Sequence, residues 1–306
     1  MRRPILLGLA AAALTLIAAA VVYTWGRDMK FYVNLARTWW LGRDFYDNYE
    51  RLTRDIVFDP AKSVRLDVYA PTSTGDHAVL FFVHGGSWQD YDKKLFAPVA
   101  MKLLPEEMVV VIPDYTLHPD AQYEQMADEV AAALSWTLDN IEQYGGDPAR
   151  LVVAGHSAGA HLGALAVMDP RFLEAYGHSG DEVCSLIGMS GVYDVQAEYD
   201  YWMDQGDEPE VMLEVMGGTG NFAQASPLRY VRAGLPPTLL IHGELDETVP
   251  AQISMAFDQA LRAAGTQSEL RLYPLAGHSD YLFAALVDDD APVLVDIIKF
   301  VDACSP

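Results

Sequence analysis

The sequence predicts an α/β fold: a mostly parallel central sheet flanked by helices, with a small cap or insert. Three observations lead there. Ala78–Val83 and Met108–Ile112 are continuous apolar runs of strand length, the pattern of strands covered on both faces. From Asp55 onward such runs alternate with amphipathic helical stretches, as in chains that build parallel sheets. Finally, Ser157 stands between a short apolar strand, Leu151-Val152-Val153-Ala154, and a helix over Ala160–Ala166, with Gly155 and Gly159 two residues to either side. Small residues at those two places let strand turn into helix within a tight, strained bend. A chain of 306 residues with 51% apolar content suits one large domain, here 55–306, carrying at most a small cap.

The elements follow in order. Residues 1–27 form a segment apart: Arg2 and Arg3 precede an uncharged apolar run from Pro4 to Trp25. Its length is enough to cross a hydrocarbon core of roughly 30 Å. An uncleaved membrane anchor is the favoured reading. A cleaved signal ending at Ala18-Ala19-Ala20 is the alternative, and the absence of a following cysteine excludes a lipoprotein anchor. Arg27 and Lys30 balance Arg2 and Arg3, so charge does not set the orientation. Export of the domain to the periplasmic or extracellular side is expected from the short basic N-terminus.

Residues 28–54 are dense in aromatics, and Phe31, Leu35 and Trp39 fall on one helical face. This segment packs on the domain, lies in the membrane interface, or forms part of a lid. Val64–Tyr69 alternates with period two before Pro71 and is expected as an antiparallel edge strand. Tyr123–Tyr144 reads as a long helix with Met126, Val130, Leu134 and Ile141 inward, stopped by Gly145-Gly146-Asp147-Pro148. Beyond the Ser157 turn come a strand at Val183–Met189, a helix near Pro209–Met216 and a strand at Thr238–Ile241. A helix at Gln252–Ala264, a strand at Glu269–Tyr273 and a closing helix around Ala291–Val301 complete the chain.

Composition removes several classes of function. A net charge of −23 with no basic patch excludes nucleic acid as a partner. Two cysteines, Cys184 and Cys304, exclude a disulfide scaffold or a cysteine-rich zinc site. They are left as free thiols or one incidental bridge, inert in either case. No His, Asp and Glu grouping has metal-ligand spacing, and there is no phosphate loop or dinucleotide fingerprint, so neither metal nor cofactor is expected.

In a parallel sheet, reactive groups gather at the carboxyl ends of the strands. Three loops there carry chemistry. After Ala78–Val83 comes His84-Gly85-Gly86-Ser87-Trp88, where paired glycines let backbone N–H groups converge on an anionic oxygen. Gly85, Gly86 and Ala158 are the candidate oxyanion donors, and the amide of Ser87 is a possible substitute for one of them. After Thr238–Ile241 comes His242-Gly243-Glu244-Leu245-Asp246-Glu247. Asp246 is the better acid, with Glu244 and Glu247 as competitors. After Glu269–Tyr273 comes Gly277-His278, a base on a flexible last loop. The order Ser157, Asp246, His278 is that of a nucleophile-elbow hydrolase. His156 is expected to pack or hydrogen-bond in the elbow, His161 to be structural, and His84 and Asp114 to brace the glycine loop. Trp88 and the segment Glu198–Met216, with Trp202, are candidate pocket walls.

At these residues the chain resembles the α/β-hydrolase superfamily, over roughly 55–303. Within it, His84-Gly85-Gly86-Ser87-Trp88 stands where carboxylesterases of the hormone-sensitive-lipase-like group carry HGGGF/W. The run from Pro113 to Ala121 stands where they carry a DYRLAPE-type run. Tyr144–Arg150, Gly155–His161 and Met216-Gly217-Gly218 are similar to segments of the prenylcysteine methylesterase-like branch. That branch also carries hydrophobic N-terminal regions. Ser87 departs from the third glycine of the motif, which leaves the second oxyanion donor open between Gly85 and Ser87. The resemblance implies a serine hydrolase acting on a small-molecule carboxylic ester through an acyl-enzyme. Two alternatives stand beside it. Kynurenine formamidases share the HGGxW loop and would make the reaction amide hydrolysis. A non-catalytic scaffold or adhesion protein on the same fold would ordinarily have lost a triad member. The sequence sets no acyl or alcohol specificity and no oligomeric state.

Overall fold

A computed structural model describes residue 29 and residues 31–304. The apolar run Pro4–Trp25, and with it the expected anchor or signal, lies outside the described residues. Among the described residues no helix is long and apolar enough to cross a membrane.

Eight strands form one sheet in the order β1-β2-β4-β3-β5-β6-β7-β8. They are β1 Leu52–Ile56, β2 Leu66–Tyr69, β3 His77–Val83, β4 Val109–Pro113, β5 Gly146–His156, β6 Ser185–Met189, β7 Thr238–Gly243 and β8 Ser268–Tyr273. The pairs β1–β2 and β2–β4 are antiparallel and all others parallel. The helices are α1 over 31–48, α2 Ala97–Leu103, α3 Tyr123–Asn140, α4 Ala158–Met168, α5 Pro170–Leu173 and α6 Val195–Gln205. They continue as α7 Glu210–Met216, α8 Phe222–Ala225, α9 Ala251–Ala263, α10 Asp280–Ala285 and α11 Pro292–Asp302.

Side chains in β3 alternate between two apolar layers, as the pleat demands. Val79, Phe81 and Val83 join the layer holding α3, α4 and α9; Ala78, Leu80 and Phe82 join the one holding α2, α10 and α11. The inward stripe of α3 is fully buried at Met126, Val130 and Leu134, and Ile141 follows in the short turn after it.

Two expectations need correction, and one left open is decided. The strand at Val64–Tyr69 is antiparallel but not the edge, because Leu52–Ile56 pairs outside it. That outer strand, Leu-Thr-Arg-Asp-Ile, is polar at its centre; edge strands are blunted in this way, and no apolar run advertises them. Trp39 is 55% exposed, so it does not share the packed face of α1. Phe31 does, meeting Phe283 edge-on at 5.6 Å, as does Phe45, stacked on Tyr69 at 5.9 Å. The cysteine question resolves to a bridge: Cys184–Cys304, Cα–Cα 5.9 Å, ties the chain just before β6 to the end of the closing helix.

Register positions the site. Val83 lies beside Gly155, and His156 beside Met189, so the glycine loop leaves β3 next to the serine turn at the centre of the sheet. Gly243 lies beside Tyr273, so the loops carrying Asp246 and His278 leave neighbouring strand ends.

Candidate active site

Ser157 occupies the N-cap of α4 with φ 54° and ψ −122°, a conformation that is strained for a residue bearing Cβ. Its amide donates to the carbonyl of Met189 at 2.8 Å, which fixes the turn to β6. A Cβ on Gly159 would stand 2.1 Å from the carbonyl oxygen of Val83, so only glycine lets α4 approach the sheet this closely. The strain lifts the Ser157 hydroxyl clear of the sheet, and the unshared N–H groups of the first turn of α4 lie beside it.

His278 reaches that hydroxyl. Its Nε2 lies 2.9 Å from Ser157 Oγ, and its Nδ1 lies 2.8 Å from Asp246 Oδ2. Burial alone would raise the Asp246 pKa. Hydrogen bonds donated by His242 and His278 outweigh it and hold the carboxyl well below the usual carboxylate range. An ionised carboxylate only accepts, so Nδ1 of His278 carries a proton and Nε2 is left to accept from the Ser157 hydroxyl. The other oxygen, Asp246 Oδ1, takes the amides of Thr248 and Val249 at 2.9 Å each, so the acid loop folds around its own carboxylate. Of the three carboxyls weighed in this loop, Asp246 contacts the His278 ring.

The glycine loop meets the elbow from β3. Gly86 has φ +128°, and a Cβ there would lie 2.1 Å from the carbonyl oxygen of Asp90. Among the described residues the amides of Gly85, Gly86 and Ala158 have no hydrogen-bond acceptor. His84 donates from Nδ1 to the carbonyl of Gly85 at 2.8 Å and stacks on Tyr115 at 4.6 Å. Asp114 accepts from the amide and the ammonium of Lys93 at 2.8 and 2.9 Å, holding the far end of the loop.

Two more histidines lock the surroundings. His156 donates from Nε2 to the carbonyl of His278 at 3.0 Å. His161 accepts from the Trp88 indole at 3.2 Å and donates to the carbonyl of Ala225 at 2.7 Å. Burial pushes His156 down to about 3 and His161 to about 4. Both are therefore neutral in the folded protein but take up protons in the unfolded chain below about 6.5. Stability from this source is intact above pH 6.5 and is lost as pH falls toward those folded values. Each histidine is expected to remove about 2 kcal/mol by pH 5. Urea unfolding at pH 7.5 and 5 should show this, with a shallower pH dependence in His161→Gln; an identical dependence in that variant would contradict the assignment.

The BD-FAE family model matches residues 66–261. The chain belongs to the BD-FAE family. Among curated relatives, the probable isoprenylcysteine alpha-carbonyl methylesterase ICMEL2 of Arabidopsis thaliana is 30% identical over 273 residues, covering 80% of this chain and 65% of that protein. Esterase LipQ of Mycobacterium tuberculosis is 32% identical over 228 residues, covering 71% of this chain and 54% of that protein. The chain thus spans less than two thirds of the length of these relatives. Among solved structures, Thermogutta terrifontis esterase 2 phosphorylated by paraoxon superposes with TM-score 0.67 at 22% identity, covering 84% of this chain and 94% of that one. The likeness shows the fold, that of an α/β-hydrolase.

The BD-FAE match contains Ser157 and Asp246 but ends before His278, which the sheet order brings back to the elbow. Ser157 opens on two cavities. One, of about 370 Å³, is bounded by Gly85, Gly86, His278 and Phe283 together with Phe31 and Tyr32 of α1. The other, of about 550 Å³, is bounded by Trp88, Trp202 and Glu198, with α7 and the loop before it. Trp88 and Trp202 therefore both line a cavity that Ser157 also lines.

Sequence reasoning gave His242 no role, and it named Glu198 only as the first residue of the candidate pocket segment, which does line the cavity. His242 is fully buried; its Nε2 faces Asp246 Oδ2 at 3.0 Å and the Val249 carbonyl at 2.9 Å, and its Nδ1 accepts from Ser254 at 2.7 Å. The i,i+4 spacing of His242 and Asp246 across a strand end was the available signal. Glu198 is only 4% exposed; Oε1 accepts from the Trp202 indole at 3.1 Å, and Oε2 has no hydrogen-bond partner among the described residues. Nothing in its amphipathic sequence context marks it as buried.

Proposed function

We propose that this BD-FAE chain is a serine carboxylesterase working through an acyl-enzyme. The hydrogen-bonded line from Ser157 through His278 to Asp246, set in a strained elbow that opens on two cavities, carries the reading. The esterase names of its relatives support it.

Ser157 Oγ attacks the ester carbonyl carbon while its proton passes to Nε2 of His278. The carbonyl π pair moves onto oxygen, which takes hydrogen bonds from the amides of Gly85, Gly86 and Ala158; each such donor contributes on the order of 3 kcal/mol. Asp246 holds the imidazole tautomer and stabilises the imidazolium. Collapse of the intermediate expels the alkoxide, which leaves as alcohol with the proton from His278. Water, deprotonated by the same nitrogen, then attacks the acyl-enzyme; the acid departs and Ser157 regains its proton. His242, donating to Asp246 from behind, keeps that carboxylate ionised.

A panel of p-nitrophenyl esters of graded chain length, with N-formylkynurenine beside it, tests the reading. Turnover of the esters with little turnover of the formamide is expected. The reverse ranking would replace the ester reading with amide hydrolysis.

The chain is further read as membrane-attached and exported. Exposed Met29, Tyr32, Val33, Trp39 and Trp40 on and just before α1 follow the apolar run directly, as interface-seeking side chains do. The Cys184–Cys304 bridge supports an oxidising compartment. Native protein should stay with membranes through a carbonate wash, while a chain starting at Asp28 should be soluble and retain ester hydrolysis. A native N-terminus at Val21 would replace the anchor with a cleaved signal.

A further inference from the structure

The cavity between Ser157 and the α6–α7 segment has an unusual lining. Glu198 is more than nine-tenths buried and forms part of its wall, yet one carboxyl oxygen has no hydrogen-bond partner among the described residues. Burying a carboxyl with half its acceptors idle is costly, and folds keep such groups where something else satisfies them. The single bond it does make, from the Trp202 indole one helical turn away, could equally be accepted by a glutamine. Structural need therefore does not account for an acid at this position.

The rest of the lining points the same way. Asp207, Glu208 and Glu210 lie along the cavity and, among the described residues, no lysine or arginine does, while Trp88 and Trp202 supply indole surface. Carboxylates together with indoles are the chemistry that receives an organic cation, through charge and through the ring quadrupole. At about 550 Å³ the cavity has the size of an ordinary small-molecule site.

We infer that this cavity binds the positively charged arm of an amine-bearing ester, with Glu198 as its buried counter-ion and Trp88 and Trp202 as its walls. The assignment rests on the reading of Ser157 as the nucleophile, which places the ester carbon at the mouth of the cavity.

Burial raises Glu198 to about 8; the Trp202 hydrogen bond works against this and the charge of Asp246 adds to it. The empty pocket is thus close to neutral at its base, and an entering ammonium displaces the Glu198 proton to solvent. Affinity for a cation should then rise with pH up to about 8 and level off above it. The groups bearing on this titration are Trp202 and Tyr201 on α6, Asp246 on the acid loop, and Asp207, Glu208 and Glu210 on α7 and the loop before it.

The test titrates the full-length protein with n-hexylammonium and with 1-hexanol, matched in length and differing in charge. It follows indole fluorescence and, separately, inhibition of p-nitrophenyl acetate hydrolysis. We expect the ammonium to bind at least tenfold more tightly than the alcohol at pH 8. That ratio should fall close to one in Glu198→Gln, whose amide keeps the Trp202 bond. Equal affinity for the two ligands, or a ratio unchanged in Glu198→Gln, would overturn the inference. Should that variant fail to fold, the double replacement Asp207→Asn, Glu208→Gln must lower the ratio severalfold, and no change there would overturn it equally. If p-nitrophenyl acetate is not turned over, the catalytic reading falls, while the fluorescence titration still decides the cation site.

Discussion

Replacing Ser157 with Ala is expected to abolish ester hydrolysis, lowering kcat about 10⁶-fold, the loss seen when the nucleophile of such a triad is removed. The fold should survive. Alanine keeps the Cβ that already sits at φ 54°, so it adds no backbone strain, and the amide bond to Met189 does not involve the side chain. The only described side-chain hydrogen bond lost is the one to His278. Thermal unfolding within a few degrees of wild type, together with loss of p-nitrophenyl acetate turnover, would separate chemistry from stability. A phosphonate or sulfonyl fluoride reagent should label Ser157 in the wild type and leave the variant unmodified. Retention of a tenth of the activity, or a mass shift on another serine, would refute the mechanism.

The sheet and its reactive strand ends were legible because parallel strands, buried on both faces, write themselves as apolar runs. Ala78–Val83 and Thr238–Ile241 lie within strands and Met108–Ile112 overlaps one from Val109 on, and each loop that was singled out leaves the carboxyl end of one of the sheet's strands. What stayed hidden obeys other physics. β1 is a polar edge whose centre faces water, so it lacks a periodic signal. Trp39 fits the packed stripe by spacing alone, yet the stripe turns toward Phe31, Leu35 and Phe45 and leaves it exposed. His242 and Glu198 owe their importance to neighbours that only the tertiary fold supplies. The first backs a carboxylate from the strand beneath it; the second is buried on α6, which reads as an ordinary amphipathic segment.

Asp246→Asn should cost about 10⁴ in kcat, the loss recorded for the corresponding change in a serine protease. The geometry gives the reason. The amide oxygen of asparagine can go on accepting from Thr248 and Val249, so the loop keeps its turn. Its NH₂ group then occupies the place of Oδ2, where His278 and His242 both now donate. Donor would face donor twice. His278 escapes by moving its proton from Nδ1 to Nε2, and in that tautomer it no longer accepts from the Ser157 hydroxyl. Binding should change little, so the loss should appear in kcat rather than KM. Glu244→Gln serves as the control and should lose little, because Glu244 is exposed and its amide, not its carboxyl, anchors it to the Tyr273 carbonyl. Steady-state kinetics on one p-nitrophenyl ester decides between them: a large loss in Glu244→Gln with a small one in Asp246→Asn would transfer the role of the acid to Glu244.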